Sequence, residues 1–304
     1  MNNLPYYFSE TWKKYENDYL KFNNYNFIKD LSYEQNSCKS IILLFEYEGK
    51  NILRGYSDGI VFPQINYFDI HNIHIKKKGD KIQKIFNYIN EIFKEYNIVD
   101  TKIYQDPYLC YSLGYSIFDL IDIDNFKLKY KIEMYVNYES NVIQDKIENY
   151  MEGGGTRTII NGFKKNIPNV NIYFGEINDE IFESFKNKHI ELSGRKTKDD
   201  ICWELTKQFI INKEGLLLEN NNNFIFFLIS DNYSIYSINA CTKQDKIVTF
   251  LLYEGIKWLN NNNYKYIHFG TFYKYYNDEK YINISKFKKS FCNKMFNQYY
   301  IELS

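Results

Sequence analysis

The sequence is poor in the residues that build metal centres. Four histidines and five cysteines are spread over 304 residues. The cysteines, Cys38, Cys110, Cys202, Cys241 and Cys292, form no CxxC pair and no cluster with histidine. That spacing argues against a zinc site, and scattered free thiols fit a reducing compartment. Neither sign of charge prevails, because Lys plus Arg and Asp plus Glu number 38 each. A nucleic-acid coat protein normally carries a basic excess, so that class is set aside, although one local basic patch remains compatible. No apolar run approaches the ~20 residues of a membrane span. The start, MNNLPYYFSETWKKY, lacks the apolar stretch of a signal peptide. The expectation is a soluble, cytoplasmic protein.

What is present is enough apolar material for real cores. Hydrophobic residues make up 44% and aromatics 19%, which excludes global disorder. The length suits about two domains at roughly 150 residues each. Strands are expected at SIILLFEYEG (40–49), around 51–62, at 101–106 and at 129–138. Between them, 80–97 places Ile82, Ile85, Phe86, Ile89 and Phe93 on one helical face. The second half predicts a helix over 140–152, a break at Gly153 to Gly155, and a helix over 156–165. A strand at 170–176 precedes helices at 179–194 and 199–212, the first ending at Gly194 and the second capped by Asp199 or Thr197. Three strands, a helix over 248–261 and a strand at 264–270 follow.

Each half thus runs through strands, a helix, an Asn-containing turn and a strand. The echo is one of pattern, not of residues. It predicts an α/β class with mixed sheets and two related domains, 1–135 and 136–304, with a cleft between them.

Several stretches carry candidate chemistry. KKKGDK (76–81) and GGGTR (153–157) resemble anion-binding turns, but neither has P-loop spacing. An ordinary turn accounts for the first, and a helix break before Arg157 accounts for the second, which leaves Arg157 as a candidate anion contact. HIELSGRKTKDDICWE (189–204) gathers His189, Arg195, Thr197 and Trp203 at a break between two helices. Arg195 offers a planar fork to phosphate or carboxylate, and Trp203 reads as core. Along YSIYSINACT, alternation predicts Tyr236 and Ile238 on one face and Asn239 on the other. In ISKFKKSFCNKMF (284–296), Phe287 and Phe291 read as anchors, and the lysines are either solvated surface, the usual case for a charge run, or include one that the anchors turn inward towards an anion.

Taken in order, H-x(4)-G-R-x-T (His189, Gly194, Arg195, Thr197), the strand YSIYSINA, the segment LLYEGIKWLNNNNYKYIHFG and the closing FKKSF resemble the FemAB-like branch of the GNAT superfamily. The resemblance spans roughly residues 130–300. Several features depart from the family pattern. Cys292 stands where a glycine is usual, His268 where an acid is common, the GGG at 153–155 is unusual, and TKQDKIV replaces the glycine-rich acyl-CoA loop. The long charged coiled-coil arm of some tRNA-dependent members is also missing.

The resemblance implies two tandem GNAT-like domains and transfer of an acyl group from an activated ester or thioester to an amine. Such an amine must be neutral to attack, at about 1.4 kcal/mol for each pKa unit above the working pH. By match to the family, Lys288 is the cation near the donor carbonyl or its phosphates. Arg195 and Arg157, with Thr197 and Asn239, become substrate contacts. His189 becomes a proton relay and Tyr236 orients the acceptor. The implied donor is acyl-CoA and the implied acceptor an amino sugar or cell-envelope precursor, nucleotide- or lipid-linked, as in polysaccharide biosynthesis. No metal is implied. The alternatives are an aminoacyl-tRNA-dependent peptidyltransferase and a non-catalytic ligand-binding module of the same fold.

Overall fold

A computed structural model describes residues 10–35, 38–54, 64–66, 87–88, 91–98, 102–104, 130–141, 154–165, 169–230, 233–242, 246–264, 266–272, 279–292 and 294–303. In chain order these form α1 (Glu10–Phe22), β1 (Asn26–Asp30), β2 (Tyr33–Gln35), β3 (Cys38–Ile41), β4 (Leu43–Tyr47), β5 (Lys50–Arg54), β6 (Gln64–Asn66), β7 (Lys102–Tyr104) and β8 (Tyr130–Asn141). There follow α2 (Gly154–Lys165), β9 (Asn171–Tyr173), α3 (Asp179–Ser193), α4 (Asp200–Ile211), β10 (Gly215–Asn220), β11 (Asn223–Ser230) and β12 (Tyr233–Ala240). The chain closes with α5 (Ile247–Asn261), β13 (Tyr266–Phe272), α6 (Glu279–Lys289) and β14 (Lys294–Leu303). The class is mixed α/β. Two compact units are present, one of residues 3–15 and 136–295, the other of 16–135 and 296–304.

In the unit of 16–135 and 296–304, β1, β4 and β5 form an antiparallel sheet and β2, β3 and β6 a second. The expected single strand over 40–49 is two strands that belong to different sheets. Ile42, fully buried, separates them, and its carbonyl accepts from Leu31 N–H at 2.8 Å. Leu43, Leu44, Phe45 and Leu53 are buried here, as are Ile92, Phe93 and Ile98 on and after a helical stretch at 91–96. The greater part of the expected strand over 51–62, the KKKGDK turn and most of the expected helix over 80–97 lie outside the described residues.

The unit of 3–15 and 136–295 is built on a sheet ordered β8-β13-β12-β11-β10-β9. All its neighbours are antiparallel except β12 and β13, which run parallel. The parallel pair requires a crossover, and α5 supplies it. Strand alternation gives the sheet two apolar faces, and each is covered by helices. On one face Leu216, Leu218, Ile225, Phe227, Ile267 and Phe269 pack with Phe250, Leu251 and Ile256 of α5 and Ile160 of α2. Phe163 stacks on Phe250 at 5.0 Å between ring centres. Gly255 permits this close approach, because the Phe227 ring lies 2.6 Å from where a Cβ would stand.

On the other face, Phe185 of α3 meets Phe224 at 5.5 Å and Phe226 at 6.3 Å, and stands edge-on to Trp203 of α4 at 5.4 Å. Trp12 and Tyr15 from α1 extend this layer by packing on Phe209 at 5.9 and 5.8 Å. The caps follow the sequence. The Asn178 side chain accepts from Ile181 N–H and that of Asp199 from Cys202 N–H, both at 2.8 Å. Gly194 ends α3 in the left-handed region at φ 66°. One expectation is corrected here. Gly154 and Gly155 lie in the first turn of α2 rather than in a break before Arg157. The helix expected over 140–152 lies almost wholly outside the described residues, and residues 140–141 belong to β8.

Trp12 is 2% exposed and belongs to the core that α4 covers. Trp12→Ala removes a large buried ring, and a loss of about 3–5 kcal/mol is expected in urea unfolding. A change below about 1 kcal/mol would show that the first helix does not complete this core.

Candidate active site

Two bulges shape the centre of the sheet. Against β11, β12 pairs Ile238 with Phe226 but Tyr236 with Phe227, so Ser237 is an extra residue. Against β8, β13 pairs His268 with Glu139 but Gly270 with Tyr138, so Phe269 is extra. A bulge bends its strand and sharpens the local twist. The parallel pairing of β12 with β13 runs from Tyr233↔Tyr266 to Ile235↔His268 and stops there. Beyond that point residues 236–240 and 269–272 continue as strands that no longer pair with each other. The strands part where both bulges begin, and the parting releases backbone N–H and C=O groups from the ladder. Such groups are obligatory hydrogen-bonding partners and suit a ligand that presents an amide or carbonyl.

The Ser237 bulge overturns the expected alternation. Tyr236 lies opposite Phe227 and Ile238 opposite Phe226, residues on opposite faces of the sheet. Tyr236 and Asn239 therefore share a face. The Tyr236 ring packs between Phe227 and Phe269 at 5.9 and 5.7 Å. Its phenol is pushed well above the ordinary tyrosine range, chiefly by burial and then by Cys241, against a hydrogen bond with the Asn239 side chain. Asn239 Oδ1 accepts from Cys241 N–H at 2.9 Å, which leaves the amide nitrogen to donate to the phenol oxygen. Tyr236 is a neutral donor at any working pH. The Cys241 thiol is pushed up to about 12 by burial and is inert as a nucleophile.

Lys288 lies in the last turn of α6, between the anchors Phe287 and Phe291, whose rings meet at 5.4 Å. Phe291 in turn stacks on Phe269 at 6.2 Å. The Ser290 hydroxyl donates to the Phe287 carbonyl at 2.7 Å and closes the helix end. The Lys288 ammonium stands 3.2 Å from where a Cβ on Gly270 would project. Gly270 has φ 76°, so both its backbone and its empty side-chain position favour glycine. Burial pushes the Lys288 amine down to about 8, against the opposing influence of Cys292. His268, 8% exposed, is pushed down to about 3 by burial and by the nearby Lys288 charge. Of the two readings of this lysine run, the position of the Lys288 ammonium against Gly270 corresponds to the one that turns a lysine inward.

The segment 189–204 makes a different arrangement. The Thr197 hydroxyl and His189 Nε2 share a hydrogen bond of 3.0 Å, and the His189 ring stands edge-on to Trp203 at 5.4 Å. Burial and then the Lys198 charge push His189 down to about 4, while the Asn239 backbone works the other way. Thr197 is engaged with His189, and His189 is a neutral imidazole near pH 7. Arg195 is exposed just past the left-handed Gly194, and Arg157 is exposed on α2. Described contacts join Tyr236, Asn239 and His189 in one chain and Lys288, Gly270 and His268 in another. None brings Arg195 or Arg157 to either. Sequence reasoning missed Lys198, which is 6% exposed, donates to the Tyr15 hydroxyl at 3.0 Å and lies over the Trp203 ring at 4.8 Å. The nearby Trp203 was its one signal, since lysine is ordinarily read as surface. No group of three or more His, Cys, Asp or Glu residues among those described can hold a metal ion.

No protein-family model matches the chain, and no curated protein matches it. Solved structures do resemble it. FemX is 10% identical with a TM-score of 0.61, over 94% of this chain and 90% of that one. L-PGS from Bacillus licheniformis is 12% identical with a TM-score of 0.54, over 93% and 85%. The C-terminal domain of a candidate lysylphosphatidylglycerol synthetase from Agrobacterium fabrum is 9% identical with a TM-score of 0.54, over 94% and 86%. At these identities the likeness is one of fold. The chain has the fold of FemX and L-PGS, as the resemblance to the FemAB-like branch of the GNAT superfamily implied.

His189 folds as a neutral base, with its pKa lowered from 6.5 to about 4. An unfolded chain takes up that proton below about pH 6.5 and the folded chain does not. The stability tied to this group is therefore complete above about pH 6.5 and declines as pH falls towards 4. Urea midpoints measured from pH 7.5 to 4.5 should fall more steeply in wild type than in His189→Gln. Equal slopes would place His189 in solvent.

Proposed function

We propose that this protein is an acyltransferase that moves an acyl or aminoacyl group from an activated ester or thioester to an amine. The observation that carries the reading is the parted β12–β13 edge with the Lys288 ammonium set against Gly270 beside it. Acyl transfer from an activated carbonyl needs a place for the donor, donors aimed at the oxyanion and a route for a proton. Backbone groups at the parted edge serve the first need. Lys288 serves the second as the cation nearest the reacting carbonyl. Tyr236, a half-buried tyrosine whose phenol is held by Asn239, orients the acceptor. Arg195, exposed in the turn after α3, and Arg157, exposed on α2, take the outer phosphates or carboxylates of the substrates. The two units are read as tandem GNAT-like domains, with the chemistry in the one that holds residues 136–295.

The leading donor is acyl-CoA and the leading acceptor an amino sugar or cell-envelope precursor. The second reading is an aminoacyl-tRNA donor. The likeness of fold to FemX and to a candidate lysylphosphatidylglycerol synthetase, a name that describes a lysyl ester of a lipid, favours keeping it.

Calorimetric titration with acetyl-CoA and with CoA tests the leading reading. Saturable binding is expected, and transfer to glucosamine or to a panel of amino sugars should fall about 100-fold or more in Lys288→Ala. Failure of acetyl-CoA to bind, with salt-sensitive binding of charged tRNA instead, would replace the first donor by the second. Undiminished transfer in Lys288→Ala would overturn the role of Lys288.

A further inference from the structure

A tyrosine hydroxyl both donates and accepts, and left alone it turns to suit whatever it meets. A neighbour that donates to its oxygen removes that choice and leaves the hydrogen to point elsewhere. Tyr236 has such a neighbour. On β11, Ile225 and Phe227 lie two residues apart on one face, and Asn239 and Tyr236 stand opposite them. The Ser237 bulge thus makes Tyr236 and Asn239 successive side chains on that face. The Asn239 amide has a fixed orientation, because its Oδ1 accepts from Cys241 N–H at 2.9 Å. What it turns to the phenol is therefore Nδ2, which has hydrogens to give and no lone pair to offer. The tyrosine ring is held as well, between Phe227 at 5.9 Å and Phe269 at 5.7 Å. Ser237 and Asn239 are exposed and Tyr236 is half-buried, so this stretch of β12 is reached from solvent.

We propose that Asn239 is the positioning residue of Tyr236, fixing the phenol oxygen as an acceptor and turning the hydroxyl hydrogen outward, so that Tyr236 recognises an oxygen beside the reacting nitrogen of the acceptor substrate. This deepens the acyltransferase reading and rests on it. The substrate class that follows is an amine with a hydroxyl or ether oxygen on the neighbouring carbon, as in an amino sugar. A plain alkylamine offers no such oxygen. An ammonium group does not fit either, since it only donates and the phenol oxygen is already engaged. Tyr236 therefore orients the substrate through its oxygen and leaves the nitrogen lone pair free to attack.

Asn239→Asp keeps the shape and reverses the polarity. One carboxylate oxygen accepts from Cys241 N–H, and the other accepts the phenol hydrogen and turns it inward. Tyr236→Phe removes the hydroxyl and keeps the ring in its packing.

Two measurements on the full-length protein test this. The first compares kcat/KM for glucosamine and for cyclohexylamine, a ring amine without oxygen, using acetyl-CoA, or charged tRNA if that is the donor bound. Wild type should prefer glucosamine by about 100-fold or more. In Asn239→Asp and in Tyr236→Phe the preference should shrink to within about tenfold, chiefly through a higher KM for glucosamine. A merely structural role for Asn239 would lower both amines alike, and an unchanged ratio in the variants would overturn the proposal. Tyr236→Phe keeps this arm decisive even where Asn239→Asp does not fold. The second measurement needs no turnover. A fluorinated, more acidic tyrosine in place of Tyr236 is titrated by fluorine NMR, with Asn239 present and in Asn239→Leu. Loss of the Nδ2 donor should move the phenol ionisation upward by about one unit or more. No movement in folded Asn239→Leu would overturn the positioning by Asn239. The expected movement without transfer to any amine would overturn the acyltransferase reading instead, and the substrate class with it.

Discussion

The candidate site depends on one geometric constraint, which is that β12 and β13 cannot stay paired along their whole length. Ser237 and Phe269 each add a residue to their strand just past the last pair, Ile235↔His268. Each bulge is held from outside, by β11 in one case and β8 in the other, so the two strands bend independently. Both apolar faces are filled beneath them, with α5 on one side and α3 and α4 on the other. The parting is therefore built into a packed core. It also sets the side chains at the opening, because the Ser237 bulge carries Tyr236 onto the face of Asn239 and the Phe269 bulge precedes the left-handed Gly270 that Lys288 meets.

Around that opening the chemistry is set by burial more than by charge pairs. Lys288 and His268 are both pushed towards their neutral forms, and Tyr236 is held protonated. Neutral groups in a dry site strengthen whatever charge develops there. The segment 189–204 is tied together within its own unit. The bond between Thr197 and His189, the Trp203 ring and the Lys198 stem pin α3 to α4 and fix the strand backbone at Asn239 from behind. Its rare residues hold the site's wall.

Much of this was legible in the sequence. The helices at 179–193 and 200–211, the strands from 215 to 240 and the crossover helix follow from apolar period, Asp199 and Gly194. The placing of Lys288 was only half legible, since aromatic anchors at Phe287 and Phe291 allow one lysine to turn inward but a charge run more often stays solvated. The face of Tyr236 was not, since a bulge is a property of register with β11 and nothing in YSIYSINA announces it. The split of 40–49 was hidden for a similar reason, because a buried Ile42 reads as one more strand residue. The burial of Lys198 depends on Tyr15, 183 positions away, beyond the reach of any local pattern.

The central claim is that the released backbone between β12 and β13 is the donor's seat. Residue-resolved amide exchange by NMR, with and without acetyl-CoA or charged tRNA, tests it most directly. The account predicts slow exchange over 233–235 and 266–268, fast exchange at alternate amides within 236–240 and 269–272, and protection of those same amides when the donor binds. Uniform protection along both strands in the free protein, or donor protection elsewhere in the chain, would contradict it.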